Sequence, residues 1–216
     1  MLDLHTHSIF SDGELIPSEL IRRVKVAGYR AIAITDHGDQ SNCDFIIPRL
    51  VRVCRKLSEA CEIIVIPGIE LTHVPPVYIH ELVKEVRHLG ARLALVHGET
   101  IAEPVAPGTN RAALLADIDI LAHPGLLTEE EAALAGQRGI FLEITTRRGH
   151  SLTNGHVYKT GCHSGAKFVL NTDTHSPEDI VSLAGAQQIA RGAGMSDNEV
   201  EAMFRNSAHL VEKVRT

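Results

Sequence analysis

Seven short apolar runs, each rich in Ile, Val, Leu and Ala, recur along the chain at 2–7, 31–36, 63–71, 93–97, 118–123, 140–145 and 168–173. Continuous apolar runs of this length read as parallel strands buried on both faces. Between and after them lie helix-like segments at 17–27, 44–61, 77–89, 110–116, 129–137, 155–164, 177–191 and 197–213. Several of these open with helix-start chemistry, as in Pro17-Ser18-Glu19, Thr128-Glu129-Glu130-Glu131 and Ser176-Pro177-Glu178. This βα rhythm predicts an α/β fold on a parallel sheet, either open and doubly wound or closed as a barrel. With 216 residues and no linker or low-complexity tract, one domain over 1–216 is expected, long enough for a substantial core.

What ends each run matters more than the run itself. The first ends in His5-Thr6-His7, the second in Thr35-Asp36-His37 and the third in Gly68-Ile69-Glu70. The fourth ends in Val96-His97-Gly98-Glu99, the fifth in Ala122-His123-Pro124-Gly125, the sixth in Glu143-Ile144-Thr145-Thr146-Arg147-Arg148 and the seventh in Asn171-Thr172-Asp173-Thr174-His175. On a strand, residues i and i+2 share a face, so His5 and His7 point at one spot. In a parallel barrel the active site is built at the carboxyl ends of the strands. The polar residues of all seven units therefore converge on one face, whereas incidental surface histidines would scatter over helices and loops.

A formal charge of −6 argues against a nucleic-acid-binding surface as the main business. Thirteen histidines is a high count, for which metal chemistry is one common reason. Cys43, Cys54, Cys61 and Cys162 show no CxxC spacing, and three share one helical segment. Free thiols in a cytoplasmic protein are expected. No signal peptide or membrane span is read from the sequence.

The ordered motifs HTHSxxSDG (5–13), TDH (35–37), GIE (68–70), VHGE (96–99), AHPG (122–125) and NTDTH (171–175) closely resemble those of the polymerase-and-histidinol-phosphatase (PHP) superfamily. LEITTRRGH at 142–150 is similar to small stand-alone members labelled histidinol-phosphatase-like. The resemblance implies a distorted (β/α)7 barrel holding two or three divalent ions. Carried over by position, it implies that His5, His7, Glu70 and Asp173 hold the first ion. Glu70 bridges to a second, completed by His97 and His123, and Asp12, His37 and His175 hold a third. Some members place histidine where Asp12 stands. Mixed nitrogen and oxygen donors suit Zn²⁺, Mn²⁺ or Fe²⁺ better than Ca²⁺. Asp36 is expected to assist His37 from behind.

The function expected is a metal-dependent phosphoesterase. A phosphomonoesterase on a small phosphorylated metabolite, histidinol-phosphate-like or nucleotide, working through a metal-bridging hydroxide is favoured. A phosphodiesterase or exonuclease on short oligonucleotides and a non-catalytic metal-binding module are the alternatives. No membrane or stable nucleic-acid partner is expected. Glu70 and Asp173 are placed at the reaction centre, with His175 as a proton donor to the leaving alkoxide. One of Arg147 and Arg148, with Arg148 ahead, is placed as a phosphate clamp. Arg111 and Glu99 are weaker substrate contacts, and the loop 99–110 is a possible cover. His73, His80, His88, His150, His156, His163 and His209 are expected at the surface or in packing, outside the ligand set, with pocket lining the alternative for His150 and His156, which follow the Arg147-Arg148 loop.

Overall fold

The computed structural model describes residues 1–215. Its strands are β1 (Leu2–Asp3), β2 (Ala31–Ile34), β3 (His37–Gly38), β4 (Ile64–Leu71), β5 (Leu93–His97), β6 (Ile120–Ala122), β7 (Phe141–Thr145) and β8 (Lys167–Asn171). The helices are α1 (Pro17–Val26), α2 (Cys43–Cys61), α3 (Pro76–Leu89), α4 (Thr109–Leu115), α5 (Glu129–Arg138), α6 (Asn154–His163), α7 (Leu183–Gly192) and α8 (Asp197–Val214). All ladders are parallel, and the strands follow the order β1-β2-β4-β5-β6-β7-β8. Two-residue β3 continues the path of β2 and sets His37 beside Glu70. The result is the expected distorted (β/α)7 barrel.

The barrel is nearly closed, and its seam is sewn largely by side chains. Beyond its two paired residues the first segment stays beside β2 on one side, Thr6 accepting the Thr35 amide (2.8 Å) and donating its hydroxyl to the Ala33 carbonyl (2.6 Å). On the other side it meets the chain after β8 through His7 N–H to Thr174 O (2.8 Å) and Asp173 N–H to His5 O (2.9 Å). Lower down, Asn171 Oδ1 accepts from the Leu4 amide (2.9 Å), and Asp3 accepts from the Thr172 amide (3.1 Å) and hydroxyl (2.6 Å). The 2–7 run is thus one extended segment with two different partners, which apolar periodicity alone does not show.

Two apolar layers hold the fold. One lies between sheet and helices, with Leu20, Ile21, Ile46, Leu50, Ile79 and Leu82 packed against the outer faces of the strands. The other fills the barrel with Leu4, Ala31, Ala33, Ile66, Leu93, Leu95, Ile120, Phe141 and Val169. Leu210, Val211 and Val214 of α8 join that inner layer, and Lys213 bonds Asp119 just before β6 (3.2 Å), so α8 plugs the amino-terminal mouth. Burying each of the larger side chains among them contributes about 1.5–3 kcal/mol. The Thr128–Glu131 capping box forms at α5 as its sequence predicts. The single helix expected over 177–191 does not form. Asp179 turns back to accept the amides of His175 (3.0 Å) and Ser176 (2.8 Å), which leaves a short 3-10 turn, and α7 restarts after Ser182.

Candidate metal centre

The inward register of the strands runs on into a polar cluster. Leu93 and Leu95 face the interior, and His97, two residues further, follows them. In the same way Ile66 leads to Glu70, Phe141 to Glu143, and Val169 to Asn171. Two residues break the regular backbone to join in: His123 at φ 26° and Asp173 at φ 53° both lie in the left-handed region. Such conformations cost about 1–3 kcal/mol each and are retained where surrounding structure enforces them.

All nine residues expected as ligands come together. His5 Nε2 stands 3.2 Å from Glu70 Oε2 and 3.6 Å from Asp173 Oδ1. His7 Nε2 stands 3.1 Å from Asp173 Oδ1 and 3.6 Å from Glu70 Oε2. The other oxygen of Glu70 faces His123 Nε2 at 3.4 Å, so the carboxylate looks two ways, as a bridge requires. A second group gathers at the rim. Asp12 Oδ1 lies 3.5 Å from His37 Nε2 and 3.2 Å from His175 Nε2, and His7 adjoins them. His97 groups with His123.

These spacings suit cations better than hydrogen bonds. At ligand distances of about 2.0–2.2 Å, neighbouring donors on one ion stand roughly 3.0–3.6 Å apart. His5 Nε2, both nitrogens of His7, both oxygens of Glu70, His123 Nδ1 and Asp173 Oδ1 are buried without a hydrogen-bond partner among the described residues. A buried polar atom left alone costs about 1–3 kcal/mol, so seven in one place call for a shared partner. Electrostatics agree. Burial opposes charge on His5, yet Glu70, Glu143 and Asp173 hold its pKa well above the usual value. Burial, then the neighbouring His37 and His5, push His7 well below it. Adjacent imidazoles driven in opposite directions form a set that a divalent ion would reconcile.

A supporting layer holds the ligands. Glu143 Oε1 accepts from His5 Nδ1 and Asn171 Nδ2, both at 2.8 Å, while Oε2 accepts the His123 amide at 3.1 Å. The sequence places Glu143 among the polar strand ends on this face without a specific task, and the structure makes it a support behind His5 and His123. His37 Nδ1 meets Thr72 Oγ1 at 2.6 Å. Asp36, expected to assist His37, instead accepts from the Ser8 amide (2.6 Å) and the hydroxyls of Ser8 and Ser11, anchoring the loop that carries Asp12. His175 donates Nδ1–H to the Asp173 carbonyl at 2.9 Å, which leaves Nε2 to the rim group. Its Nε2 stands 3.2 Å from Asp12 Oδ1, so both ring nitrogens have close neighbours.

The expected substrate contacts divide. Glu99 is taken by structure: its Oε1 accepts the amides of Gly108 (3.0 Å) and Asn110 (2.9 Å) at the start of α4. Arg147 pairs with Asp179 at 2.8 Å. Arg148 and Arg111 are exposed, and neither has an acidic partner within ion-pair distance among the described residues. His156 donates to the Leu127 carbonyl at 2.7 Å and serves packing. Two unexpected residues reach the cluster. Glu103, on the loop after β5, lies 3.3 Å from His97 Nε2, and His150 lies beside both.

Gly125 locks this region. It sits at φ +69°, and a Cβ there would meet the Glu99 carbonyl oxygen at 1.8 Å. Gly125→Ala is expected to push the 98–100 backbone away, displacing His97. A fall in melting temperature of several degrees, together with weaker metal retention on dialysis, checks this.

A family model described as PHP domain matches residues 3–117. An uncharacterized protein of Methanocaldococcus jannaschii is 48% identical over 201 residues, 92% of each chain. The 5'-3' exoribonuclease Rnm of Escherichia coli is 24% identical over 220 residues, covering 97% of this chain and 71% of that one. Among solved structures, a chain of archaeal ribonuclease P with mature tRNA superposes with a TM-score of 0.72 at 17% identity, over 100% of this chain and 94% of that one, a likeness of fold. The matched region supplies His5, His7, Asp12, His37, Glu70 and His97, and with them the chain belongs to the PHP domain family, its acid-and-histidine centre being that of a metal-dependent phosphoesterase.

Proposed function

We propose that the protein is a phosphomonoesterase that hydrolyses a small phosphorylated metabolite at the carboxyl face of the barrel. One observation carries the choice of a small monoester. Across the connections that follow the strands, residues 8–16, 35–42, 72–75, 98–108, 123–128, 146–149 and 172–182, the only Lys or Arg residues are Arg147 and Arg148. Arg147 is already paired with Asp179. Acids such as Asp12, Glu14, Asp39, Glu103 and Glu178 share the same rim. A strand of nucleic acid needs a cationic track for its successive phosphates, whereas one terminal phosphate needs one guanidinium beside the centre.

Divalent ions held by His5, His7, Glu70, Asp173, His97 and His123, and by Asp12, His37 and His175, would neutralise phosphate oxygens and lower the pKa of water towards neutrality. The protein's own part is positional. Glu143 and Asn171 fix His5, the Glu143 carboxylate fixes the His123 backbone, and the Asp173 carbonyl fixes His175. Arg148, free of acidic partners, binds the phosphate. Arg148→Ala is expected to raise KM for the monoester about ten-fold or more, with metal content unchanged.

The 24% match to an exoribonuclease over nearly the whole chain favours a second reading, cleavage of short oligoribonucleotides. Phosphate release across a panel of monoesters, with histidinol phosphate and nucleotides included, separates the two. Protein loaded with Mn²⁺ or Zn²⁺ is compared with a chelated control. The monoesterase reading expects metal-dependent release from one class of small compound. Silence on every monoester, with shortening of an oligoribonucleotide by the same sample, would replace it with the second reading.

A further inference from the structure

The residues assigned by resemblance give the second ion position two imidazoles, His97 and His123. The structure brings a third to the same place. The ligand nitrogens of His97, His123 and His150 all lie within 4.8 Å of one another, and all three side chains are buried. The His150 ring stacks on that of His123 with centroids 4.2 Å apart and planes inclined by 15°. Its Nε2 faces inward, 3.5 Å from Glu103 Oε1 and 4.0 Å from Asp173 Oδ2. We propose that His150 is a tenth metal ligand, which joins His97 and His123 in a three-imidazole set beside the bridging carboxylate of Glu70.

Three features on the page build this site. Gly149, at φ +85°, turns the chain between the exposed Arg148 and the buried His150. Thr100 Oγ1 meets His150 Nδ1 at 2.8 Å. With His150 in the tautomer whose Nδ1–H donates to Thr100, Nε2 would have its lone pair free to hold a cation, the usual arrangement behind a ligating histidine. Glu103 closes the solvent side, with one oxygen 3.3 Å from His97 Nε2 and the other 3.5 Å from His150 Nε2. Three neutral imidazoles with a carboxylate make a donor set well suited to Zn²⁺. The alternative is a purely mechanical His150, a wedge that pins the 98–108 loop through Thr100.

The inference rests on reading the cluster as a metal centre, and the test separates the two. Wild type, His150→Ala and Thr100→Ala are stripped with chelator and titrated with Zn²⁺ against a competing chelator, and the visible spectra of their Co²⁺ forms are recorded. A ligand role expects His150→Ala to bind one equivalent at least ten-fold more weakly and to change the Co²⁺ bands. It expects Thr100→Ala, which keeps the imidazole and loses only its orienting hydroxyl, to weaken that equivalent while preserving the Co²⁺ bands of wild type. A mechanical role expects Thr100→Ala to reproduce the His150→Ala defect in full, the change in the Co²⁺ bands included, and that result overturns the inference. So does a folded His150→Ala protein with the affinity, stoichiometry and spectrum of wild type. Should His150→Ala not fold, wild type loaded with ¹¹³Cd decides. Cadmium coupling on the His150 Nε2 resonance supports the ligand, and its absence beside coupled His97 and His123 overturns it. A wild type that binds no ion would sink the metal centre itself, and His150 with it.

Discussion

Glu70→Gln is expected to lower metal-dependent phosphate release by on the order of 10³-fold or more while leaving the barrel folded. The side chain is fully buried, and Gln matches it in size, so packing is retained. What disappears is the charge, and with it an oxygen able to serve as an anionic bridge. Glu70 Oε2 faces His5, His7 and His37 while Oε1 faces His123, so this one carboxylate adjoins every part of the cluster. In the metal-free protein burial opposes charge on Glu70, yet the neighbouring His5 and His37 hold its carboxyl well below the usual carboxylate range, with His37 Nδ1 2.8 Å from Oε2. A carboxylate stabilised in this way contributes to folding at neutral pH. The metal-free variant is therefore expected to melt lower than metal-free wild type, and metal to raise its melting temperature less. Phosphate release, metal content and melting curves with and without chelator read this out. Turnover within ten-fold of wild type, in a folded and metal-loaded variant, would end the assignment of Glu70.

The parts of this site that were legible in the sequence are those set by strand register. Glu70 and His97 extend apolar runs whose inward alternation already specifies where they point, and His5 and His7 share a face through their i, i+2 spacing. What could not be read depends on long-range partners. His123 and Asp173 reach the cluster only through left-handed backbone conformations that no local pattern announces. His150 looked like a loop residue because what turns it inward is Gly149 together with Thr100, fifty positions away. Glu99 looked like a substrate contact because it follows His97, yet the α4 amides claim it. The interruption at 177–191 has the same origin. Asp179 bonds His175, Ser176 and Arg147, and those contacts outweigh the propensity of the segment to form one helix.

Glu143→Gln should fail in a different way, and the contrast tests whether the ligands and their supports have been told apart. Glu143 touches no rim residue; it holds His5, Asn171 and the His123 amide from beneath. All three neighbours offer N–H groups. An amide in its place has a single oxygen, so whichever way it turns, an N–H of the new residue faces an N–H of the old. At least one buried hydrogen bond is lost, at about 1–3 kcal/mol. In a chain of this length that corresponds to a fall in melting temperature of roughly 3–10 °C. Because His5 loses its fixed tautomer, metal affinity is expected to drop about 10–100-fold, and turnover measured at limiting metal drops with it. Excess metal should restore much of the activity, which it cannot do for Glu70→Gln. A support weakens binding that mass action can recover, whereas a bridging ligand removes a group the chemistry uses. If excess metal rescued Glu70→Gln and failed on Glu143→Gln, the two roles would have to be exchanged.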